Sequence, residues 1–278
     1  WPGLNIPVNM SVAFHSDAGC YPTDKLVGTF MFYTITGDDK ETTYPAGGDR
    51  ICNRDFADYI QTQIVEDIRQ TMVPNWQKRH LMQKSMSETR NPKVPSTIIE
   101  LLSHHNYYDM TFGLDPKFKF IVSRAIYKGM LRFIHQTTGT PYVVQPLPVQ
   151  QMNVTYANND TLQIRWAERI DSLEPTATPS YYVLYTRTSQ LKDGEWQTTD
   201  WDNGVVVKQN NATMAIQRGV KYDFMVRAGN NGGVSMPSEV MSAYIDPAYN
   251  NNLALIINGF HRVDAPEMFG IDSVTGGV

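Results

Sequence analysis

Apolar and polar positions follow two different rhythms along this chain, and the change of rhythm divides it. Met10, Val12, Ala13 and Phe14 form a short apolar run that predicts a buried strand ending near His15. "GTFMFYT", residues 28–34, is rich in β-branched and aromatic side chains and predicts a second strand. After a polar loop, Asn53 predicts an N-cap, because Phe56, Ala57, Ile60, Ile64, Val65, Ile68 and Met72 then recur at helical spacing. "NWQKRHLMQKSMSETR", residues 75–90, reads as a basic connection, and "VPSTIIEL", residues 94–101, as a third apolar strand. Asp115-Pro116 supplies a cap and a first-turn proline to a helix carried by Phe118, Ile121, Val122, Ala125, Ile126, Met130, Leu131 and Ile134. His135 closes that helix, where a cation suits the dipole. Strands alternating with helices predict an α/β domain over 1–140, its mostly parallel sheet covered on both faces.

The rhythm changes at "TGTPYVVQPLPVQ", a proline-rich stretch that reads as a linker. Over 146–247 the period is two, as in "TLQIRWAE", "SYYVLYTRT" and "KYDFMVRAGN", with turn residues every ten or so positions, which predicts an antiparallel β-sandwich. Trp166 on one strand and Tyr222 before "DFMVRAGNNGGVSMPSE" resemble the core tryptophan and corner tyrosine of fibronectin type III domains. The last stretch, 248–278, starts another strand at Leu253–Ile257 and reads as the opening of a further domain or a tail; its His261 is uninformative.

Composition narrows the function classes. With 278 residues, 41% hydrophobic and 19% charged, the chain has the composition of a folded protein, and two domains are the natural expectation. A net charge of -4 provides no long-range attraction for nucleic acid or an anionic membrane, and no apolar run reaches the length of a membrane helix. The start, Trp1-Pro2-Gly3, has no charged n-region followed by an apolar h-region, so a signal peptide is either removed or outside this sequence. Cys20 and Cys52 flank a Gly/Asp/Pro-rich stretch; a loop-closing disulfide and two reduced thiols both fit. Asn9, Asn153, Asn159 and Asn211 begin sequons, a weak signal in a chain so rich in Asn, Ser and Thr.

Two side chains stand out chemically. His15 lies near the carboxyl end of its strand, where open α/β sheets place ligands, although a lone histidine there also serves structure. Glu100 ends an apolar strand, where a carboxylate is costly if buried without a partner. An imidazole for a divalent metal and a carboxylate to take a proton from metal-bound water are the ingredients of metal-assisted hydrolysis. His104 and His105 follow Glu100 at the strand exit, at least one of them expected in solvent. His80, Arg79 and Arg90 lie on the basic connection, where an arginine is suited to the carboxylate of a peptide stem or glycan.

"SVAFHSDAG", "GTFMFY", "VPSTIIELLSHHNYYD" and "GLDPKFKFIVSRAIYKGMLRFI" resemble the second half of the zinc-dependent N-acetylmuramoyl-L-alanine amidases, with their "S-x-H-x-D-A" and "P-x-x-x-x-E" strands. The resemblance spans about residues 8 to 136. It implies that His15 is a zinc ligand and Glu100 the catalytic carboxylate, and that the bond cut is the lactyl amide to L-Ala in peptidoglycan; His104, Arg79 and Arg90 are, from their own placement, candidate substrate contacts. An exported bacterial cell-envelope protein, located in the periplasm, on the cell surface or secreted, is the implied setting. Family members take their other two zinc ligands, a histidine and a glutamate, from before the His15 strand. None of the fourteen residues preceding His15 is His, Glu or Cys, so the chain is either the C-terminal part of such a domain or carries a degenerate site. The degenerate case implies a non-catalytic glycan-binding or scaffold protein. The segment "ELLSHHNYYDMTFGLDP" further resembles multidomain Bacteroidetes-type proteins that carry a fibronectin-like module and are often labelled xanthan lyase, but no residue constellation supports a polysaccharide lyase.

Overall fold

The computed structural model describes residues 7–158 and 160–248, in two compact units that divide between Pro141 and Tyr142. The tail and its His261 lie outside the described residues.

In the first unit the elements run β1 (Ser11–Asp17), β2 (Thr29–Tyr33), α1 (Cys52–Thr71), β3 (Lys78–Gln83), α2 (Ser87–Arg90), β4 (Ser96–Ser103), α3 (Tyr107–Gly113) and α4 (Pro116–Thr138). The sheet order is β1-β4-β2-β3. β1 runs parallel to β4 and β2 parallel to β3, but β2 and β4 are antiparallel. The sheet is therefore mixed, not mostly parallel. The crossover through α1 is long enough to return β3 parallel to β2, whereas the short connection through α2 brings β4 in from the opposite end.

From Ile98 to Leu102, β4 is apolar except at Glu100 because both of its faces are covered. Ile99, its register partner Met31, and Leu101 pack with Phe56, Ile60 and Ile64 of α1 and Phe118, Val122 and Ala125 of α4. Ile98 and Phe30 alternate to the opposite face and are also buried. Phe14 departs from its expected burial: β1 is an edge strand, and this ring is 59% exposed. The 75–90 segment contains β3, a strand hidden from the sequence by its polar residues. Gln61 of α1 anchors it, donating from Nε2 to the Arg79 carbonyl at 2.8 Å and to the Thr29 carbonyl at 2.9 Å.

The helix termini divide into one success and one correction. Asp115 caps α4 as expected, accepting from the Lys117 N–H at 2.7 Å, and Gly139 ends it in the left-handed region at φ 70°. Asn53, however, does not cap α1, which begins at Cys52. Its buried amide instead donates to the Thr34 carbonyl and accepts from the Tyr44 hydroxyl and the Ser96 N–H, joining helix, loop and sheet. Cys20 and Cys52 are both free, not joined in a disulfide: Cys52 opens α1, while the Cys20 thiol donates to Asp17 at 3.5 Å.

α1 and α4 approach closely. A Cβ placed on Gly129 would lie 2.8 Å from the Ile60 Cα, and one turn away in space the buried Lys128 Nζ pairs with Asp67 at 2.7 Å.

The second unit is an all-β sandwich of two antiparallel sheets. One sheet has the order β10 (Asn211–Ala215), β6 (Thr161–Ala167), β5 (Gln150–Asn158). The other joins β12 (Gly233–Val234), β11 (Val220–Asn230), β7 (Tyr181–Lys192) and β8 (Glu195–Thr198), with β13 (Met241–Tyr244) on β11 and β9 (Val205–Val207) on β7. Leu162, Ile164 and Trp166 face Tyr182, Leu184, Phe224 and Val226 in its core. Trp166 meets Tyr182 edge-on at 5.4 Å, and the Tyr222 hydroxyl accepts from the Gln217 N–H at 3.1 Å, the corner bond its sequence context implied. The proline-rich segment after Pro141 is built into this unit rather than linking the two. Val144 is buried, its N–H donates to the Thr176 hydroxyl, and its carbonyl accepts from Asn230.

Two stability measurements check this packing. Helix propensity alone favours alanine over Gly129 by about 1 kcal/mol. The contact with Ile60 backbone outweighs it, so Gly129→Ala is expected to destabilise the first unit by about 1–3 kcal/mol, seen as a lower urea midpoint. Tyr222→Phe removes the corner bond and is expected to cost the sandwich about 1 kcal/mol, with little change in its core.

Candidate functional site

The sheet register brings His15 and Glu100 together. They are direct partners in the parallel β1–β4 ladder, so their side chains leave the same face of adjacent strands. Phe30 is the partner of Glu100 on the other side. The carboxylate thus lies between an imidazole and a phenyl ring.

Glu100 is half-buried, and its Oε2 has no hydrogen-bond partner among the described residues. Burial pushes its pKa above the ordinary 4.5. The Asp17 charge adds to the rise, while His15, His104 and Arg79 oppose it.

Around this carboxylate sits a ring of polar groups. Arg79 Nη1 donates to Asp17 Oδ2 at 2.5 Å, and its guanidinium lies 4.7 Å from the centre of the Phe30 ring. Burial alone would raise the Asp17 pKa, but the bonds from Arg79 and the Gly19 N–H outweigh it and hold that carboxyl low. His15 Nε2 stands 3.8 Å from Glu88 Oε1, and the Ser16 hydroxyl shares a 2.9 Å hydrogen bond with His104 Nδ1. Behind them, the buried Asp109 carboxylate accepts from the N–H groups of Val27, Gly28 and Ser103, pinning the loop before β2 to the end of β4.

Of the residues singled out from sequence, His15, Glu100, His104 and Arg79 converge. Arg90 does not: its guanidinium is held by Asp38 at 2.6 Å and by Ser85. His104 and His105 are both exposed; His105 Nδ1 bonds with the Cys20 carbonyl. His80 packs edge-on against Phe30 at 5.1 Å. Sequence reasoning passed over Asp17, which had a signal in its position two residues beyond His15 on the same strand; it placed Glu88 on the basic connection with Arg79 and Arg90, and only the fold brings it to His15.

The zinc that the resemblance implies can be tested against these residues. Among the described residues no group of three His, Cys, Asp or Glu side chains is placed to hold a metal ion. His15 with nearby carboxylates falls short of the three protein ligands that even an open catalytic site uses. The described residues do not by themselves make a metal centre.

No protein-family model matches the chain, and no curated protein matches it. Among solved structures it is similar to titin kinase with its flanking domains, at 18% identity over 37% of this chain, with a TM-score of 0.27. The match covers 18% of that structure. The sixth fibronectin type III domain of human fibronectin type III domain containing protein 3 shares 15% identity over 42% of this chain and 99% of its own, TM-score 0.28. For the FN5 domain of Drosophila Lar the figures are 16%, 36%, 97% and 0.26. At these scores the likeness adds nothing to the strand order and core already described for the second unit.

A titration tests the site's electrostatics. The Glu100 carboxyl signal, followed by carbon-13 NMR, is expected to have its midpoint above 4.5. In His15→Gln, which removes an imidazole that opposes the rise, the midpoint goes up further. Because folded Glu100 binds its proton more tightly than the unfolded chain, stability falls as pH rises from the ordinary value through the raised one. Glu100→Gln removes that portion of the slope.

Proposed function

We propose that the first unit belongs to a hydrolase acting on the N-acetylmuramoyl-L-alanine amide of peptidoglycan, in an exported cell-envelope protein, with Glu100 as its proton-transfer residue. The observation that carries this reading is the state of Glu100: a half-buried carboxylate with an orphaned oxygen and a raised pKa, paired in register with His15. A general base and acid works best when its pKa is displaced toward the operating pH, and burial provides that displacement. Glu100 takes a proton from the attacking water and returns it to the leaving amine. Arg79, fixed by Asp17, keeps a positive charge near the carboxylate as it cycles. The amidase resemblance adds zinc at His15, and this reading requires ligands beyond those described.

A second reading rests on that incomplete ligand set: a non-catalytic surface protein in which the sheet presents His15, His104 and Arg79 to a glycan. A xanthan-type lyase has no observation in its favour.

The protein incubated with purified peptidoglycan and zinc is expected to release L-Ala-terminated stem peptides. Glu100→Gln should lower that rate by about a hundredfold or more while leaving the fold intact. Binding without release supports the surface-protein reading, and unsaturated uronic products overturn both.

A further inference from the structure

β1 is the terminal strand of its sheet, and no strand among the described residues pairs with its outer edge. Beneath that edge lies a cavity of about 690 Å³, within the size range of ligand sites. Phe14, Leu101, Phe118 and Val122 make it apolar, and Ser16, His104, Lys119 and Ser123 stand among its lining residues. No carboxylate lines it. Lys119 is exposed and has no acidic partner among the described residues.

These features call for one kind of occupant. An open strand edge presents main-chain donors and acceptors that another extended backbone satisfies. An apolar cavity directly below takes every second side chain of such a strand. Lys119 at the rim, with no carboxylate among the lining residues, favours an acidic group. We propose that the β1 edge and the cavity beneath it form a binding site for an acidic peptide in extended conformation, added to the sheet as a further strand, with an apolar side chain in the cavity and a carboxylate on Lys119. His15 and His104 also line the cavity, so it adjoins the site of the hydrolase reading, but peptide binding there requires neither Glu100 nor a metal and stands whether or not that reading does.

The test uses the full chain carrying Glu100→Gln, so that binding is read without turnover. The probe is a blocked pentapeptide alternating valine and glutamate, titrated by calorimetry and by nitrogen-15 NMR. Saturable binding is expected, with the amide shifts concentrated in 11–17. N-methylation at alternate peptide nitrogens, or replacement of the glutamates by lysines, should each weaken it about tenfold or more. Lys119→Glu, an exposed change that leaves the fold intact, should weaken the acidic peptide about tenfold as well. Absence of saturable binding, indifference to N-methylation, or a dimer by sedimentation whose formation blocks the peptide would each overturn the proposal.

Discussion

A carboxylate in the middle of a strand's apolar stretch must be compensated, and in the first unit much of the polar architecture is that compensation. Ile98, Ile99, Leu101 and Leu102 around it are all buried, so Glu100 cannot leave the strand for solvent without dismantling β4. Its hydrogen-bonding capacity is left partly unfilled, and the cost appears as a preference for the protonated form. Cations are arranged around it at intermediate range: His15 by strand register, His104 by the turn after β4, and Arg79 by β3. Each opposes the desolvation without neutralising the carboxylate by direct contact. A direct arginine partner would have fixed the charge and removed the group's ability to exchange a proton; here the arginine is bound to Asp17 instead.

The mixed sheet is what makes this arrangement possible. The antiparallel β2–β4 pair puts Phe30 beside Glu100, and the parallel β2–β3 pair brings Arg79 over that same ring. On the other side the register of β1 slips between His15 and Asp17, so that Asp17 can turn toward Gly19, Cys20 and Arg79 rather than continue a regular ladder. Bulges of this sort commonly re-aim a side chain beside a site. Meanwhile the opposite face of the sheet is committed to α1 and α4, whose close approach at Gly129 and buried Lys128–Asp67 pair hold the layer that β4 rests on.

Much of this was legible in the sequence where periodicity is strong. α1 and α4 announce themselves by apolar spacing, and β4 by an unbroken apolar run with one acidic exception. Tyr222 and Trp166 mark the sandwich because their roles are fixed by local context. Legibility fails where the determinant is not local. Strand direction is one such case, because the antiparallel entry of β4 follows from the length of the connection, not from the residues of β4. β3 is another: Lys78, Arg79, His80 and Gln83 are polar because it is an edge strand, and an edge does not alternate cleanly. Asn53 looked like a helix cap since asparagine favours that position; the competing demand came from Tyr44, Thr34 and Ser96, which only the fold assembles. The approach of Glu88 to His15 escapes the sequence for the same reason.

β1 is where the two lines of physics meet. Sheet edges are usually guarded by lysine, proline or inward charge, because an unguarded row of amides recruits other strands. β1 carries none of the first two, exposes Phe14, and has its ionisable groups at one end, at His15 and Asp17. Yet the same strand provides the register partner of Glu100, so whatever lies along the β1 edge changes the water and the charge around that carboxylate. Covering His15 would strip solvent from a group already strained by burial and drive its proton affinity higher still. An occupant of the edge would therefore act on ionisation at position 100 through a single strand, the one that pairs His15 with Glu100.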